Sequence, residues 1–396
     1  MLPGSGALRN IPAVIIAAGP SLRRNIANLR DVHRKALTIV SDTALERVLS
    51  EGARPHFTIS IDPSDLNERH FPREDYTSTG TWLIYDICCH PTIPERFPGR
   101  ALTYSARRSP FFEWLDRVCG GKGLIRPGMM VSQAALNVAA FWGCRPIILV
   151  GQDLALDPQT GDTHFDGAAL KRTVQFITDD RQHVMYPSID GKESRKEPIY
   201  WVDGVHGQPV PTVQYLLDYL RGLEENISVI DVPVVNSTEG GARIAGTTSA
   251  DLSEALNRYG ANKIDVGDFR THLTRKSSPC DLSAIHRQFQ QKIDLLHEAT
   301  TALFNRMEQL ESQAEGWAEE TNDLLERTAD QVFRDDILSF FVEQVSGQAV
   351  LDAHRFQSVT TPMAECDDQV RIRCGRLCDA LQHAETVLRR TIREAE

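Results

Sequence analysis

The apolar positions in the N-terminal part of the chain come in short, unbroken runs. Residues 13–17 are the clearest case, and such a run is typical of a strand buried on both faces at the centre of a parallel sheet. Further runs of this kind lie at 36–41, 57–61, 82–85, 101–104 and 146–150. These runs alternate with segments whose apolar residues have the spacing of a helix. The pattern therefore predicts an α/β fold with a mostly parallel, helix-covered sheet.

The segments between these runs have the spacing of helices that cover a sheet. The most distinctive lies at 131–142, where small residues allow a helix to approach the strands closely. Further helices are predicted at 43–51, 213–225 and 249–256, and short strands near 229–230 and 234–235.

The segment 157–210 breaks this pattern because it is polar and has little periodicity. A long segment of this kind beside a ligand crevice is typical of a lid or a substrate loop, and partial disorder is the alternative. We predict a lid or substrate loop.

Beyond residue 256 the apolar positions fall three and four residues apart, as in Ile293, Leu296 and Leu303. A second stretch of this kind includes Leu377 and Leu381, which predicts an all-α helical hairpin or small bundle. We therefore expect an α/β domain over 1–256 and a helical domain over 257–396. The helical part has no evident chemistry, and it is a candidate surface for a protein partner or for a homo-oligomer.

The composition is that of an ordinary globular protein, with 41% hydrophobic and 24% charged residues in a chain of 396. A net charge of -11 argues against nucleic acid as a partner. No run approaches the length of a membrane span, and residues 1–10 lack the features of a secretory signal. We therefore expect a cytoplasmic protein without a membrane span. The eight cysteines, which include no C-x-x-C pair, agree with this expectation.

The turn after the first strand, Gly19-Pro20-Ser21, is the first candidate for chemistry. Gly19 permits a close backbone approach, Pro20 suits the first turn of a helix, and Ser21 supplies a hydroxyl. Unpaired amides and a helix dipole at such a turn favour an anion, so the turn predicts a phosphate or nucleotide site. The alternative is an ordinary strand-to-helix turn, since neither a dinucleotide fingerprint nor a P-loop is present.

Polar residues recur where the predicted strands end. Asp42 and Asp62 follow the second and third strands, and Gly151 and Asp153 follow the strand at 146–150. Ligands of open α/β sheets bind outside the carboxyl ends of the strands, so these residues are expected to share one crevice with Gly19. Each of two carboxylates has a structural role as its alternative. Asp62 would cap a turn, and Asp153 would accept hydrogen bonds from loop amides.

Several of these stretches together resemble one family. The run 14–22 is similar to the nucleotide turn of bacterial CMP-sialic-acid-dependent sialyltransferases. The wider set resembles the motility accessory factor family of flagellin glycosyltransferases, which share a domain with archaeal 6-hydroxymethylpterin diphosphokinases. Its motifs lie at 41–45, 61–63, 151–155, 163–164 and 239–247.

The resemblance implies a Rossmann-like, sialyltransferase-like fold and transfer of a nonulosonic acid from a CMP donor to Ser or Thr of flagellin. On this interpretation no metal or other cofactor is required. His164 is expected to be the general base, with His206 as its rival, because an imidazole titrates near neutral pH. Ser132 is expected to bind the donor sugar carboxylate, or else to cap its helix.

Two other functions stay open at this point. One is a pterin diphosphokinase that uses ATP, in which Asp62 and Asp153 would hold Mg²⁺ against the phosphates. The other is a non-catalytic flagellin-binding protein that uses the helical hairpin as its surface and has no need of His164.

Overall fold

The computed structural model describes residues 8–106, 110–118, 125–168, 171–177, 182–188, 192–260, 282–311, 318–335, 337–339, 377–387 and 389. The chain divides into two compact units, one of 1–106 with 122–277 and the other of 107–121 with 278–396. The domain boundary after residue 256 stays a prediction.

Strands and helices are numbered here in chain order. The strands are β1 (Ala13–Ile16), β2 (Leu37–Ser41), β3 (Phe57–Ser60), β4 (Trp82–Asp86), β5 (Ala101–Tyr104), β6 (Ile147–Val150), β7 (Gln175–Phe176), β8 (His183–Pro187), β9 (Ser194–Pro198), β10 (Tyr200–Asp203), β11 (Pro209–Thr212), β12 (Val234–Asn236) and β13 (Thr247–Ser249). The α-helices are α1 (Leu22–Asn25), α2 (Asp42–Ser50), α3 (Thr92–Glu95), α4 (Pro110–Val118), α5 (Val131–Phe141), α6 (Gln214–Val229), α7 (Leu252–Tyr259), α8 (Leu282–Glu311) and α9 (Ala318–Phe333). Short 3-10 helices lie at Ile26–Leu29, Val32–Arg34, Asp65–His70 and Thr77–Thr79.

The first unit is built on an eight-stranded parallel sheet in the order β13-β12-β6-β1-β2-β3-β4-β5. From β1 to β5 the chain adds strands in one direction, and it then crosses back to place β6 on the other side of β1. The strand order therefore reverses between β1 and β6, which is the place where open α/β sheets bind ligands.

Helices cover both faces of this sheet, as the unbroken apolar runs predicted. All four residues of β1 are buried. Ile15 belongs to a core that includes α5 and α6, whereas Val14 and Ile16 belong to a second core with α2 and α7. Since β1 alternates its side chains between two apolar layers, it needs an apolar residue at every position.

The predicted fold class is confirmed, and seven of the eight strands of the large sheet lie within a residue or two of a predicted strand. The eighth, β13, was not predicted. The strand predicted near 229–230 is wrong, because Val229 is the last residue of α6. That helix is longer than predicted: Leu223, Asn226 and Ile227 are all buried on its inner face.

The segment 157–210 contains more structure than its composition suggested. Strands β7, β8 and β9 form one small antiparallel sheet, and β10 pairs with β11 in a second. Val184 and Tyr186 are buried while their neighbours in β8 are half-exposed, which gives this strand one inner face. The predicted closure of 157–210 as a lid stays a prediction.

The second unit consists of helices wherever it is described, and it confirms the predicted helical character of the C-terminal part. Its core includes the predicted positions Ile293, Leu296, Leu303, Leu377 and Leu381. The positions predicted between 312 and 317 and between 340 and 376 lie outside the described residues. Of the helices that the structure describes, none combines the length and the apolar run that a bilayer crossing requires.

Candidate active site

A cavity of about 560 Å³ opens at the carboxyl ends of the parallel strands in the first unit. It lies where β1 and β6 end and the strand order reverses. The structure gathers seven of the nine predicted site residues in its lining: Gly19, Asp42, Asp62, Ser132, Gly151, Asp153 and His164. The functional roles of these residues stay predictions.

The turn at Gly19-Pro20-Ser21 does not present the unpaired amides that the sequence argument assumed. The Gly19 N–H donates to the Gly151 carbonyl at 2.8 Å, and Pro20 has no N–H. The Ser21 N–H and hydroxyl both donate to the carboxylate of Asp153, at 3.0 and 2.7 Å. The protein's own carboxylate therefore occupies the donors that we expected a phosphate to use. Moreover, α1 is only four residues long and continues as a 3-10 helix.

Asp153 is held at the end of β6 by very close packing. A Cβ on Gly19 would lie 2.0 Å from Asp153 Oδ2, and one on Gly241 would lie 2.3 Å from the Asp153 carbonyl oxygen. Only glycine, which has no Cβ, allows the backbone at Gly19 and at Gly241 to lie this close to Asp153. Burial raises the pKa of Asp153 to about 6, against the opposing effect of the hydrogen bonds from Ser21.

Asp42 is buried at the first position of α2. Its carboxylate accepts from the Thr43 amide at 2.7 Å and from the Ser60 hydroxyl at 3.0 Å. Burial raises the pKa of Asp42, and the positive charge of nearby His70 opposes this rise. Asp42 is thus a satisfied internal acceptor that also faces the cavity.

Asp62 is exposed at the mouth of the cavity. One of its carboxylate oxygens accepts a hydrogen bond from the Ser64 amide at 2.8 Å, so the alternative role of Asp62 as a turn cap is also correct. The Asn67 amide donates to the Ser60 hydroxyl at 2.6 Å, which ties this turn to the network around Asp42.

The N-terminus of α5 also faces the cavity. The N-cap residue of this helix is Met130, so Ser132 does not cap it. Ser132 is buried, and it lines the cavity beside Met130 and Val131.

His164 lies in the segment after β6 and lines the cavity, whereas its rival His206 does not. Its Nδ1 is 2.9 Å from the Thr163 hydroxyl. Burial, together with the smaller effects of His70 and Arg172, lowers the pKa of His164 to about 4. The imidazole is therefore neutral at pH 7 and able to accept a proton, although it is a weaker base than a free imidazole.

Sequence reasoning missed the basic and aromatic parts of the cavity. His70 ends the 3-10 helix Asp65–His70, and Arg172 lies just before β7; both line the cavity, and no motif marks either of them. Tyr215 and Tyr219 contribute an aromatic wall with Tyr186. Their ring centroids form a chain of edge-to-face contacts at 5.8 and 5.7 Å.

The two helical tyrosines carried a signal that could have been used. They lie four residues apart on α6, so both project from the same face of the helix. Burial raises the pKa of Tyr215 and of Tyr219, and both hydroxyls are therefore protonated donors at neutral pH. The cavity thus offers an aromatic wall, protonated hydroxyls, carboxylate acceptors and one neutral imidazole.

Comparisons with known proteins agree with this fold. Residues 4–159 match the family model described as 6-hydroxymethylpterin diphosphokinase MptE-like. The fold is similar to that of the MAf glycosyltransferase from Magnetospirillum magneticum AMB-1, with a TM-score of 0.54 and 15% identity over 99% of this chain. This chain spans only about half of that structure, 55% of its length. No curated protein is a significant match.

Proposed function

We propose that this chain is a glycosyltransferase of the motility accessory factor family, because residues 4–159 match the MptE-like family model and the fold is similar to that of a MAf glycosyltransferase. It moves a nonulosonic acid of the pseudaminic or legionaminic type from a CMP donor to Ser or Thr of flagellin in the cytoplasm. The observation that supports this most is the cavity at the sheet switch point, where a neutral imidazole, carboxylates and an aromatic wall meet.

The size and lining of the cavity suit a nucleotide sugar. A volume of about 560 Å³ lies within the range of about 300 to 1,000 Å³ typical of small-molecule sites. The exposed carboxylate of Asp62 can accept hydrogen bonds from ribose hydroxyls or from the cytosine amine. The tyrosine wall at Tyr215 and Tyr219 gives a base or a sugar ring a flat apolar surface.

A nonulosonic acid carries a carboxylate that also needs a partner. The N-terminus of α5 supplies amides and a favourable dipole, and Ser132 adds a hydroxyl at the same place. We therefore propose that the sugar carboxylate binds at Ser132.

In the transfer step, His164 accepts the proton of the acceptor hydroxyl. The hydroxyl oxygen forms a bond to the anomeric carbon of the sugar, and the bond from that carbon to the phosphate oxygen of CMP breaks. The electron pair of that bond leaves with CMP. A neutral imidazole is the state that this role requires.

The diphosphokinase alternative derives support from the description of the matching family model. In this alternative, Asp153 and Asp62 would both be ligands of Mg²⁺. Both oxygens of Asp153 already accept hydrogen bonds from Ser21, which leaves this carboxylate poorly placed to hold a cation. We therefore favour the transferase.

The test combines ligand binding with transfer. Under the proposal, CMP and CTP raise the melting temperature without Mg²⁺, and co-expression with a flagellin and a CMP-nonulosonate pathway increases the intact mass of the flagellin. Stabilisation only by ATP with Mg²⁺ would support the diphosphokinase. A stable flagellin complex without a mass increase would support the binding protein.

A matched pair of variants tests the base. His164→Gln is expected to abolish the mass increase, whereas His206→Gln, outside the cavity, is expected to preserve it. The reverse result would transfer the role of base to His206.

A further inference from the structure

His70 is a buried imidazole to which the proposed function gives no role. It is only 7% exposed, and it lines the cavity at the end of the helix Asp65–His70. Its Nδ1 has no hydrogen-bond partner among the described residues. A buried polar atom without a partner is destabilising, and this one belongs to a side chain that lines the cavity.

Arg172 brings a positively charged group to the same cavity. It donates to the Tyr186 hydroxyl at 3.0 Å, and its guanidinium carbon lies 5.2 Å from the centre of that ring. The backbone of Arg172 is fixed by Thr163, whose hydroxyl accepts from the Arg172 amide at 3.1 Å. No ion pair between described residues includes Arg172, so its charge is free to meet an anion.

The competing anion site is already filled. All the N–H and O–H donors of the Gly19-Pro20-Ser21 turn are used within the protein. The two arginines that follow the turn are also engaged, Arg23 with Asp157 and Arg24 with the Glu239 carbonyl.

We infer that the cavity binds a phosphate group through His70 and Arg172, and not through the turn at Gly19. The assignment of this phosphate to the CMP of the donor rests on the proposed function. The inference that the site binds a phosphate does not rest on it. His70 contributes an imidazole N–H donor, and Arg172 contributes charge and N–H donors.

This placement also affects the proposed base. After burial itself, His70 and Arg172 are the groups that hold the pKa of His164 down. A phosphate bound to those two side chains offsets their charge, which favours proton uptake by His164. The bound donor would then make its own base stronger.

Inorganic phosphate is the probe that tests the site without a nucleotide. We would follow the imidazole resonances of His70 and His164 by NMR during a phosphate titration, with each signal assigned from its own glutamine variant. Both resonances are expected to shift with one shared Kd. His70→Gln and Arg172→Gln are each expected to weaken phosphate binding at least tenfold, and Arg172→Lys to weaken it less.

Two control variants separate this site from others. Ser21→Ala removes a donor of the turn, and Arg54→Gln removes a cation from a separate open cavity that also includes Arg100. Neither control is expected to change the phosphate Kd by more than about twofold. An unchanged melting temperature and near-ultraviolet circular dichroism spectrum would confirm that each variant is folded. His70→Gln and Arg172→Gln test the site independently of each other.

The inference is overturned if phosphate shifts neither histidine, or if Ser21→Ala weakens binding while the glutamine variants do not. Its failure is distinguishable from that of the proposed function. If phosphate binds at His70 and Arg172 but CMP binds no more tightly than phosphate, the inferred site is supported and the proposed CMP donor is rejected. Sugar transfer with an unchanged donor KM in both glutamine variants would retain the function and reject the site.

Discussion

Asp153→Asn is the substitution that most directly tests the electrostatics of the candidate site. Asp153 is 5% exposed, and its carboxylate accepts two hydrogen bonds from Ser21. Asparagine has nearly the same shape but carries no charge. It keeps one acceptor oxygen, so the change removes the ionisation and one of the two hydrogen bonds.

The size of the pH effect follows from the pKa of Asp153. Burial raises it from 3.8 to about 6, which corresponds to about 3 kcal/mol of unfavourable ionisation. A carboxyl group whose pKa is raised in the folded state contributes stability at low pH, and that contribution is lost as the pH rises through the folded pKa. The free energy of unfolding of the wild type should therefore fall by about 2 kcal/mol between about pH 4.5 and 7.5 relative to Asp153→Asn.

Urea unfolding of both proteins across this pH range measures the difference, and titrating groups common to both cancel. The loss of one hydrogen bond, about 0.5 to 1.5 kcal/mol between neutral groups, offsets the two curves at low pH, where Asp153 is protonated. The change of this offset with pH reports the ionisation of Asp153. A difference that does not vary with pH would show that burial does not perturb Asp153. A wild type that gains stability relative to the variant as the pH rises would show that the hydrogen bonds from Ser21 outweigh burial.

Three further predictions concern packing, linkage and the second unit. Gly19→Ala places a Cβ 2.0 Å from Asp153 Oδ2 and should lower the free energy of unfolding by about 1 to 3 kcal/mol in urea; an unchanged midpoint would contradict the close approach. Saturating phosphate should raise the pKa of His164 above its value of about 4, and an NMR titration that gives the same pKa with and without phosphate would exclude this linkage. Trp114→Phe removes the 2.7 Å hydrogen bond to Gln288 and should destabilise the protein by about 1 kcal/mol, with no further loss on adding Gln288→Ala; additive losses would show that the two side chains are not coupled.

The sheet was predictable because its strands are buried on both faces. An unbroken apolar run such as 13–17 permits little else in a soluble protein, and β1 is buried along its whole length. The segment 157–210 was harder to interpret because its strands form small sheets with exposed faces. In β9, for example, Lys196 and Arg195 are exposed, so apolar periodicity could not reveal this strand.

The site was predictable to the extent that topology alone determines it. The ends of parallel strands must meet at one edge of the sheet, so Asp42, Gly151 and Asp153 were expected together and line one cavity. His70 and Arg172 could not be found this way, because neither follows directly on a strand of the parallel sheet. His70 ends a short 3-10 helix and Arg172 lies in an irregular connection, and the paths of both segments depend on tertiary contacts. The unpaired amides at Gly19 were also wrongly predicted, since the sequence did not show that Asp153 would reach Ser21.

That last error matters for how a donor would bind. At pH 7 a carboxyl group with a pKa of about 6 is mostly ionised, so the turn at Ser21 already holds a negative charge. A phosphate placed there would have to displace Asp153 or be repelled by it. Arg172 lines the same cavity with the opposite charge, so the repulsion from Asp153 and the attraction to Arg172 both favour binding of a phosphate away from the turn. The buried carboxylate would then contribute to specificity by excluding the anion from one side of the crevice, which is a role that Asp153→Asn would remove without touching Arg172.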